Sequence, residues 1–173
     1  MESNGLLPAG ISVLTAESIA ASPSAKQSVI VDIIDQLGSS SAEAQGIAQP
    51  MTSVAKLAAD QRVYIMCDDE GSRAVGFLKV GAKHLYHYDK KGKVTELDPV
   101  CLLDFYVHES CQRQGIGRKL VDAMLAAEGQ DIKRIAWDKP TEKSLALLSK
   151  HYGLSSFVPQ PNNYVVFDDF FLE

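Results

Sequence analysis

Apolar positions along this chain change their spacing twice. From Val29 they recur at Ile33, Ile34 and Leu37, the three-and-four step of one helix face. Gly38 predicts the stop of that helix. Ser40-Ser41-Ala42-Glu43 has the form of a capping box and predicts a second short helix to about Ile47, closed by Pro50. From Arg62 the pattern becomes that of strands. Val63 to Cys67 and Ala74 to Val80 flank Asp68-Asp69-Glu70-Gly71-Ser72, a hairpin signal. His84 to Tyr88 and Lys93 to Leu97 flank Asp89-Lys90-Lys91-Gly92, a second one. Val100 to Val107 reads as a central strand. Then the helical step returns, with Ile116, Leu120, Met124 and Leu125 on one face of a helix from Ile116 to Ala127. Ile132 to Trp137 predicts a strand. Pro140 predicts the first turn of a helix ending at Gly153, with Leu145 and Leu148 facing inward. Tyr164 to Phe167 predicts a last strand. Residues 1–25 are rich in Ser, Ala and Gly and read as a partly flexible segment with one strand, Ile11 to Leu14. The order is two helices, a meander, then strand–helix–strand–helix–strand. It predicts one mixed α/β domain around one sheet.

Composition narrows the class without naming a function. The 173 residues suit one domain with a full hydrophobic core. No apolar run reaches the roughly 20 residues that span a bilayer, and Met1 to Gly10 lacks the form of a secretory signal. The net charge of −5 argues against nonspecific nucleic-acid binding. Cys67, Cys101 and Cys111 lack metal-like spacing and suit a reducing compartment, so no metal is expected.

One short run points to chemistry. Gln112-Arg113-Gln114-Gly115-Ile116-Gly117 lies between the strand ending at Val107 and the helix starting at Ile116. A glycine-rich turn feeding a helix N-terminus gathers free backbone N–H groups and the positive end of the helix dipole at one point. Gly115 and Gly117 leave room for a phosphate, and Arg113 and Arg118 add charge. The run lacks the Gly-Lys-Ser/Thr ending of a nucleotide P-loop and the second spacing of GxGxxG. Gln/Arg-x-x-Gly-x-Gly/Ala is instead the pyrophosphate-binding mark of the acyl-CoA N-acetyltransferase (GNAT) superfamily, which this run resembles.

A closer resemblance spans Ile11 to Phe171. Cys101-Leu102-Leu103-Asp104-Phe105-Tyr106-Val107-His108-Glu109-Ser110 is similar to the α-tubulin N-acetyltransferase family. So are Ile33-Ile34-Asp35-Gln36-Leu37-Gly38, Ser41-Ala42-Glu43-Ala44-Gln45, Phe77-Leu78-Lys79-Val80-Gly81, Asp138-Lys139-Pro140, His151-Tyr152-Gly153-Leu154 and Val158-Pro159-Gln160-Pro161-Asn162-Asn163-Tyr164-Val165-Val166-Phe167. The resemblance implies a GNAT fold over residues 11–173, a central mixed, mostly antiparallel twisted sheet flanked by helices. It implies acetyl transfer from acetyl-CoA to one lysine of α-tubulin in the microtubule lumen, and direct transfer in a ternary complex. It implies a cytoplasmic, cytoskeletal protein, in cilia or flagella among other places, acting as a monomer without nucleic acid or membrane. The chain departs from the family in a shorter loop at Asp68 to Arg73, and in Trp137 and Cys111 where aliphatic residues are expected.

The resemblance also implies site residues. Gln45 matches a glutamine crucial for activity; Cys101 and Asp138 match a cysteine and an aspartate near the attacking amine. On residue type alone, Gln45 reads as a solvated helix residue, Cys101 as a small core side chain and Asp138 as a helix cap. Asp138 is the better base, while Cys101 acts only with a lowered pKa or as a relay. Gln45 cannot be a base but can position substrate or water. Cofactor contacts are expected over Phe105-Tyr106-Val107-His108-Glu109-Ser110-Cys111-Gln112-Arg113-Gln114-Gly115-Ile116-Gly117-Arg118. A second segment is expected over Thr141-Glu142-Lys143-Ser144-Leu145-Ala146-Leu147-Leu148-Ser149-Lys150, where Lys143 and Lys150 can meet phosphates. Asp104 alternates away from Cys101 along its strand and reads as structural or substrate-orienting. Lys83, His84, His87, Lys90, Lys91 and Lys93 form a basic cluster, either a docking surface for acidic tubulin or a solvated edge hairpin. Rival functions are acetylation of another protein lysine or a small amine, and microtubule binding without catalysis.

Overall fold

The structure is a computed structural model describing residues 1–3 and 5–173. In chain order it holds β1 (Gly10–Leu14), α1 (Ala16–Ala20), α2 (Ser24–Gln45), β2 (Arg62–Cys67), β3 (Ala74–Ala82), β4 (Leu85–Tyr88), β5 (Val94–Leu97), β6 (Val100–Val107), α3 (Ile116–Glu128), β7 (Ile135–Asp138), α4 (Glu142–Tyr152) and β8 (Tyr164–Val165). The class is the expected mixed α/β. Its contacts divide it into two compact units, Met1–Lys79 with Asp104–Met124, and Val80–Leu103 with Leu125–Glu173. The chain passes between them inside β3, β6 and α3, so neither unit is one segment of sequence. No described helix is long and apolar enough to cross a membrane.

The first unit carries strands in the order β1-β2-β3-β6, with β1 antiparallel to β2. Helix α2 covers them. Its Ile30, Ile33, Ile34 and Leu37 pack with Val63, Ile65 and Cys67 of β2 and Phe77 of β3. Burying such a side chain contributes about 1.5–3 kcal/mol, so this stripe fixes the helix on the sheet.

The two predicted helices are one. Helix α2 runs 22 residues, passes through Gly38, and ends at Gln45 with Gly46 as its left-handed cap. Gly38 is glycine for space: a Cβ there would overlap the backbone carbonyl of Thr52. The predicted capping box is therefore helix interior, and Pro50 does not close it. The residues after Leu37 on the same face are Ser41 and Gln45, so the buried stripe turns polar rather than ending. The N-terminal segment is also tied down beyond its one predicted strand. Met1 accepts from the Ala74 N–H, the Ser3 N–H donates to Ser72, and the Ser3 hydroxyl donates to Gly71.

The second unit pairs β6 in parallel with β7, and β7 antiparallel with β8. Its core joins Leu85, Cys101, Leu103, Ala136 and Val166, with Leu97, Tyr164 and Phe170 against them. Three boundaries differ from the sequence reading. Residues 132–134 form a 3₁₀ turn capped by Asp131, which delays β7 to Ile135. Thr141 caps α4, leaving Pro140 outside the helix and Asp138 at the end of β7 instead of in a capping role. β8 stops at Val165, and Phe167 continues as a single bridge to Phe157.

Candidate functional site

The glycine turn has the form that anion binding requires. After β6 comes a 3₁₀ turn, Glu109–Cys111, in which the His108 ring accepts from the Ser110 N–H at 3.2 Å. Gln112 Nε2 donates to the Val107 carbonyl at 2.9 Å and holds the start of the run against the strand end. Arg113 (φ 63°) and Gly115 (φ 78°) are both left-handed. For Arg113 this costs about 1 kcal/mol or more. A Cβ at Gly115 would meet nothing within 4 Å, so glycine serves the backbone there and leaves open space beside it. Gly117 is helical, in the first turn of α3. The first N–H groups of α3 have no partner within the helix, as at any helix start. Arg113 and Arg118 are exposed, and Arg118 Nε lies 3.8 Å from Asp122 one turn on.

Gln45 and Asp104 meet in the same unit. Asp104 is buried on β6, yet its carboxylate is well supplied with donors. Oδ1 accepts from Ser41 Oγ at 2.7 Å, from its neighbour's backbone N–H (Phe105) at 3.0 Å and from Gln45 Nε2 at 3.3 Å. Oδ2 accepts from Thr52 Oγ1 at 2.6 Å. Gln45 Nε2 also donates to Ser41 Oγ at 2.8 Å. The bulge of chain after α2 is held by the same centre, because Thr52 supplies both this hydroxyl and the carbonyl that Gly38 admits. Lys79 is buried on β3, and its ammonium donates to the Met51 carbonyl at 2.8 Å. Asp104 is thus structural in its contacts, and Gln45 is bonded rather than solvated.

Cys101 and Asp138 meet in the second unit. The parallel register sets Cys101 beside Ala136, and the antiparallel one sets Asp138 beside Tyr164. Side chains alternate along strands, so Cys101, Ala136, Asp138, Tyr164 and Val166 share one face. The Cys101 thiol is fully buried; it donates to the Pro99 carbonyl at 3.6 Å, and the Lys83 backbone N–H reaches its sulfur. Burial, then the Asp138 carboxylate, pushes this thiol up to about 12. It is a neutral S–H at any ordinary pH. Burial, then Asp138, also pushes the Tyr164 phenol up. Tyr164 escaped the sequence reading; its place opposite Asp138 depends on strand register, which no local pattern reveals. In the same unit, α4 is capped by the Thr141 hydroxyl, with Leu148 buried, Leu145 half-buried, and Lys143 and Lys150 exposed.

A family model described as GNAT acetyltransferase, Mec-17, matches residues 3–173. The chain belongs to this family. It is 46% identical over 140 residues to an alpha-tubulin N-acetyltransferase of Tetrahymena thermophila, covering 80% of this chain and 35% of that protein. It is 44% identical over 171 residues to that of Anopheles gambiae (97% of this chain, 35% of that protein). The Aedes aegypti protein is 43% identical, with 97% and 61% covered. The chain therefore spans between about a third and three fifths of the length of these relatives. Among solved structures, an xEco2 acetyltransferase domain bound to a CoA conjugate matches with TM-score 0.58 at 16% identity, over 80% of this chain and 84% of that one. An aminoglycoside acetyltransferase from an uncultured soil sample, in complex with trehalose, matches with TM-score 0.51 at 17% identity, over 87% and 91%. At such identities the likeness is one of fold.

The basic hairpin of this chain is smaller than its sequence implies. Lys83, His84, Lys90, Lys91 and Lys93 are exposed, with Tyr86 and Tyr88 between them. His87 is not part of that surface. It is buried, its ring 4.9 Å from that of Phe171, and its Nε2 meets no partner among the described residues. Burial pushes its pKa down, against Asp168 and Asp89. His84 goes the other way, pushed up by its 2.7 Å bond to Asp98. Gln160 holds the hairpin by its edge, accepting from the Tyr88 N–H and donating to the Tyr88 carbonyl, each at 2.8 Å. No metal-like group of His, Cys, Asp and Glu gathers among the described residues.

Proposed function

We propose that the protein transfers the acetyl group of acetyl-CoA to the side-chain amine of one lysine of α-tubulin, within the microtubule lumen. The observation that carries this reading is the 44% identity, over 97% of the chain, to a protein named for that activity. A lysine amine has a pKa near ~10.4, so roughly one molecule in a few thousand is neutral at pH 7. A base must take the surplus proton before the nitrogen attacks. Asp138 is that base in our reading, directly or through one water. Cys101 lines the same face as a neutral thiol; a group pushed up to about 12 has almost no thiolate with which to accept a proton. The amine nitrogen then bonds to the acetyl carbon, the carbon–sulfur bond breaks, and coenzyme A leaves as a thiolate that takes up the proton the nitrogen gives off. The turn at Gln112 to Gly117 holds the pyrophosphate through the first N–H groups of α3, and residues of β6 and α4 supply the remaining contacts of the cosubstrate. Gln45 contacts the accepting amine. The exposed lysines of the β4–β5 hairpin face the acidic partner.

The test is incubation with labelled acetyl-CoA and either polymerised tubulin or free polyamines. Label on α-tubulin is the expected outcome. Label on polyamines alone means a small-amine enzyme. Retained pelleting with microtubules without any transfer means a binding domain.

A further inference from the structure

The contacts of Gln45 determine which end of its amide is available. Nε2 lies 2.8 Å from Ser41 Oγ and 3.3 Å from Asp104 Oδ1. Ser41 has one hydroxyl proton, and it is committed to Asp104 Oδ1 at 2.7 Å. Towards Gln45, Ser41 therefore offers only a lone pair. Asp104 is an acceptor at both oxygens, with Thr52 donating to the other one at 2.6 Å. Both atoms facing the Gln45 head group are thus acceptors, and only its NH₂ end satisfies them. Turned over, Oε1 would face a carboxylate oxygen and a hydroxyl lone pair, losing the hydrogen bond they share and gaining two repulsions. Gln45 itself is half-exposed at the last residue of α2. No donor among the described residues meets its Oε1.

We infer that Gln45 presents a fixed hydrogen-bond acceptor, its Oε1, to an N–H of the accepting amine, and that Asp104 and Ser41 are the positioning residues that hold it so. The inference rests on the proposed function for the presence of an amine at Gln45. Asp104 takes no part in proton transfer; it acts through the amide.

Gln45→Glu tests the acceptor role. At low pH the introduced carboxyl carries a proton, donates it to Asp104 as Nε2 does, and leaves an acceptor oxygen in the place of Oε1. At high pH two carboxylates face each other and the arrangement is lost. Activity on polymerised tubulin, taken at each pH as a ratio to the unsubstituted protein, cancels the titration of the amine. That ratio is expected to rise about tenfold or more between roughly pH 8 and pH 5.5, with near-ultraviolet circular dichroism reporting the fold throughout. Gln45→Met is expected at background at every pH. A flat ratio overturns the inference, whether it lies near one or near Gln45→Met. Orientation has its own readout. In ¹⁵N-labelled protein, one proton of the side-chain NH₂ pair that vanishes in Gln45→Met is expected to exchange with solvent about tenfold slower than those of free glutamine, and to lose this protection in Ser41→Ala. Exchange as fast as free glutamine overturns the inference whatever the activity. Slow exchange in a protein that labels no tubulin overturns the amine role and the proposed function together, and leaves the amide orientation standing.

Discussion

Two ionisable side chains of β6 are buried three positions apart and are held in opposite ways. Around Asp104 the neighbours donate: two hydroxyls, one amide and one backbone N–H reach its two oxygens. Around Cys101 burial dominates, and the Lys83 backbone N–H and ammonium oppose it without prevailing. Its thiol has a carbonyl at 3.6 Å, apolar side chains and the Asp138 carboxylate, and is pushed up to about 12. Burial alone does not decide what an acidic group does. Desolvation first, then the Asp138 carboxylate, keeps the proton on Cys101, and one backbone donor does not offset them. Asp104 therefore becomes a hub that orients other groups, and Cys101 becomes a small core residue on the face that carries Asp138. The choice between Cys101 and Asp138 as proton acceptor, open on sequence, falls to Asp138 in the proposed mechanism.

Substitution can break this contrast. The largest effect is expected from Asp104→Leu, which strands two buried hydroxyls, Ser41 and Thr52, and takes the acceptor from two half-buried donors. Leaving buried polar groups without their partner costs about 3–5 kcal/mol, which lowers the melting temperature by roughly 10 °C in a chain of this size. A shift of about a degree in calorimetry would show that the donors find other partners. Gly38→Ala follows, at about 3 kcal/mol by the same measurement, because its Cβ has to displace the Thr52 backbone that carries one of those donors. Asp138→Asn comes next and acts on rate. We expect kcat to fall about a hundredfold while coenzyme A affinity, read by calorimetric titration, is unchanged; an unchanged rate removes Asp138 from the mechanism.

Cys101→Ala is expected to do less, about 1–2 kcal/mol in stability and a rate within roughly fivefold. Its pH–rate profile should keep the inflections of the unsubstituted protein, since a thiol pushed up to about 12 titrates outside the range measured. An inflection that disappears in the variant would return Cys101 to the proton path. The smallest effects lie in the β4–β5 hairpin. Burial lowers the folded-state pKa of His87, so the unfolded chain binds more protons in the window below about 6.5. Stability attached to His87 is full above that value and is lost as pH falls. For His84 the folded value is raised, so its contribution is full below about 6.5 and is lost as pH rises through the raised value. His87→Leu should flatten the acid limb of a stability–pH curve and His84→Ala the neutral one. Identical curves for the two variants would contradict the opposite environments assigned to them.

Much of this protein was legible without coordinates, and the reason is local. β6, α3 and both hairpins follow from spacing and turn residues within a few positions of each other. So does the glycine turn, whose left-handed Gly115 answers a demand of its own backbone. What the sequence hid is set by residues far away along the chain. Gly38 looked like a helix stop because its real constraint, the Thr52 carbonyl, arrives from fourteen positions on. Ser41 looked like part of a cap because its partner, Asp104, is 63 positions away. His87 looked like one more basic residue until Phe171 covered it. Sequence determined the glycine turn from short spacing, a local property, and through the family resemblance it put forward Gln45, Cys101 and Asp138 as candidates. Tertiary structure alone decided their state, proton-bearing for Cys101, acceptor outward for Gln45 and buried for His87, because a side chain's protonation and orientation depend on the donors, acceptors and apolar surface brought to it through space.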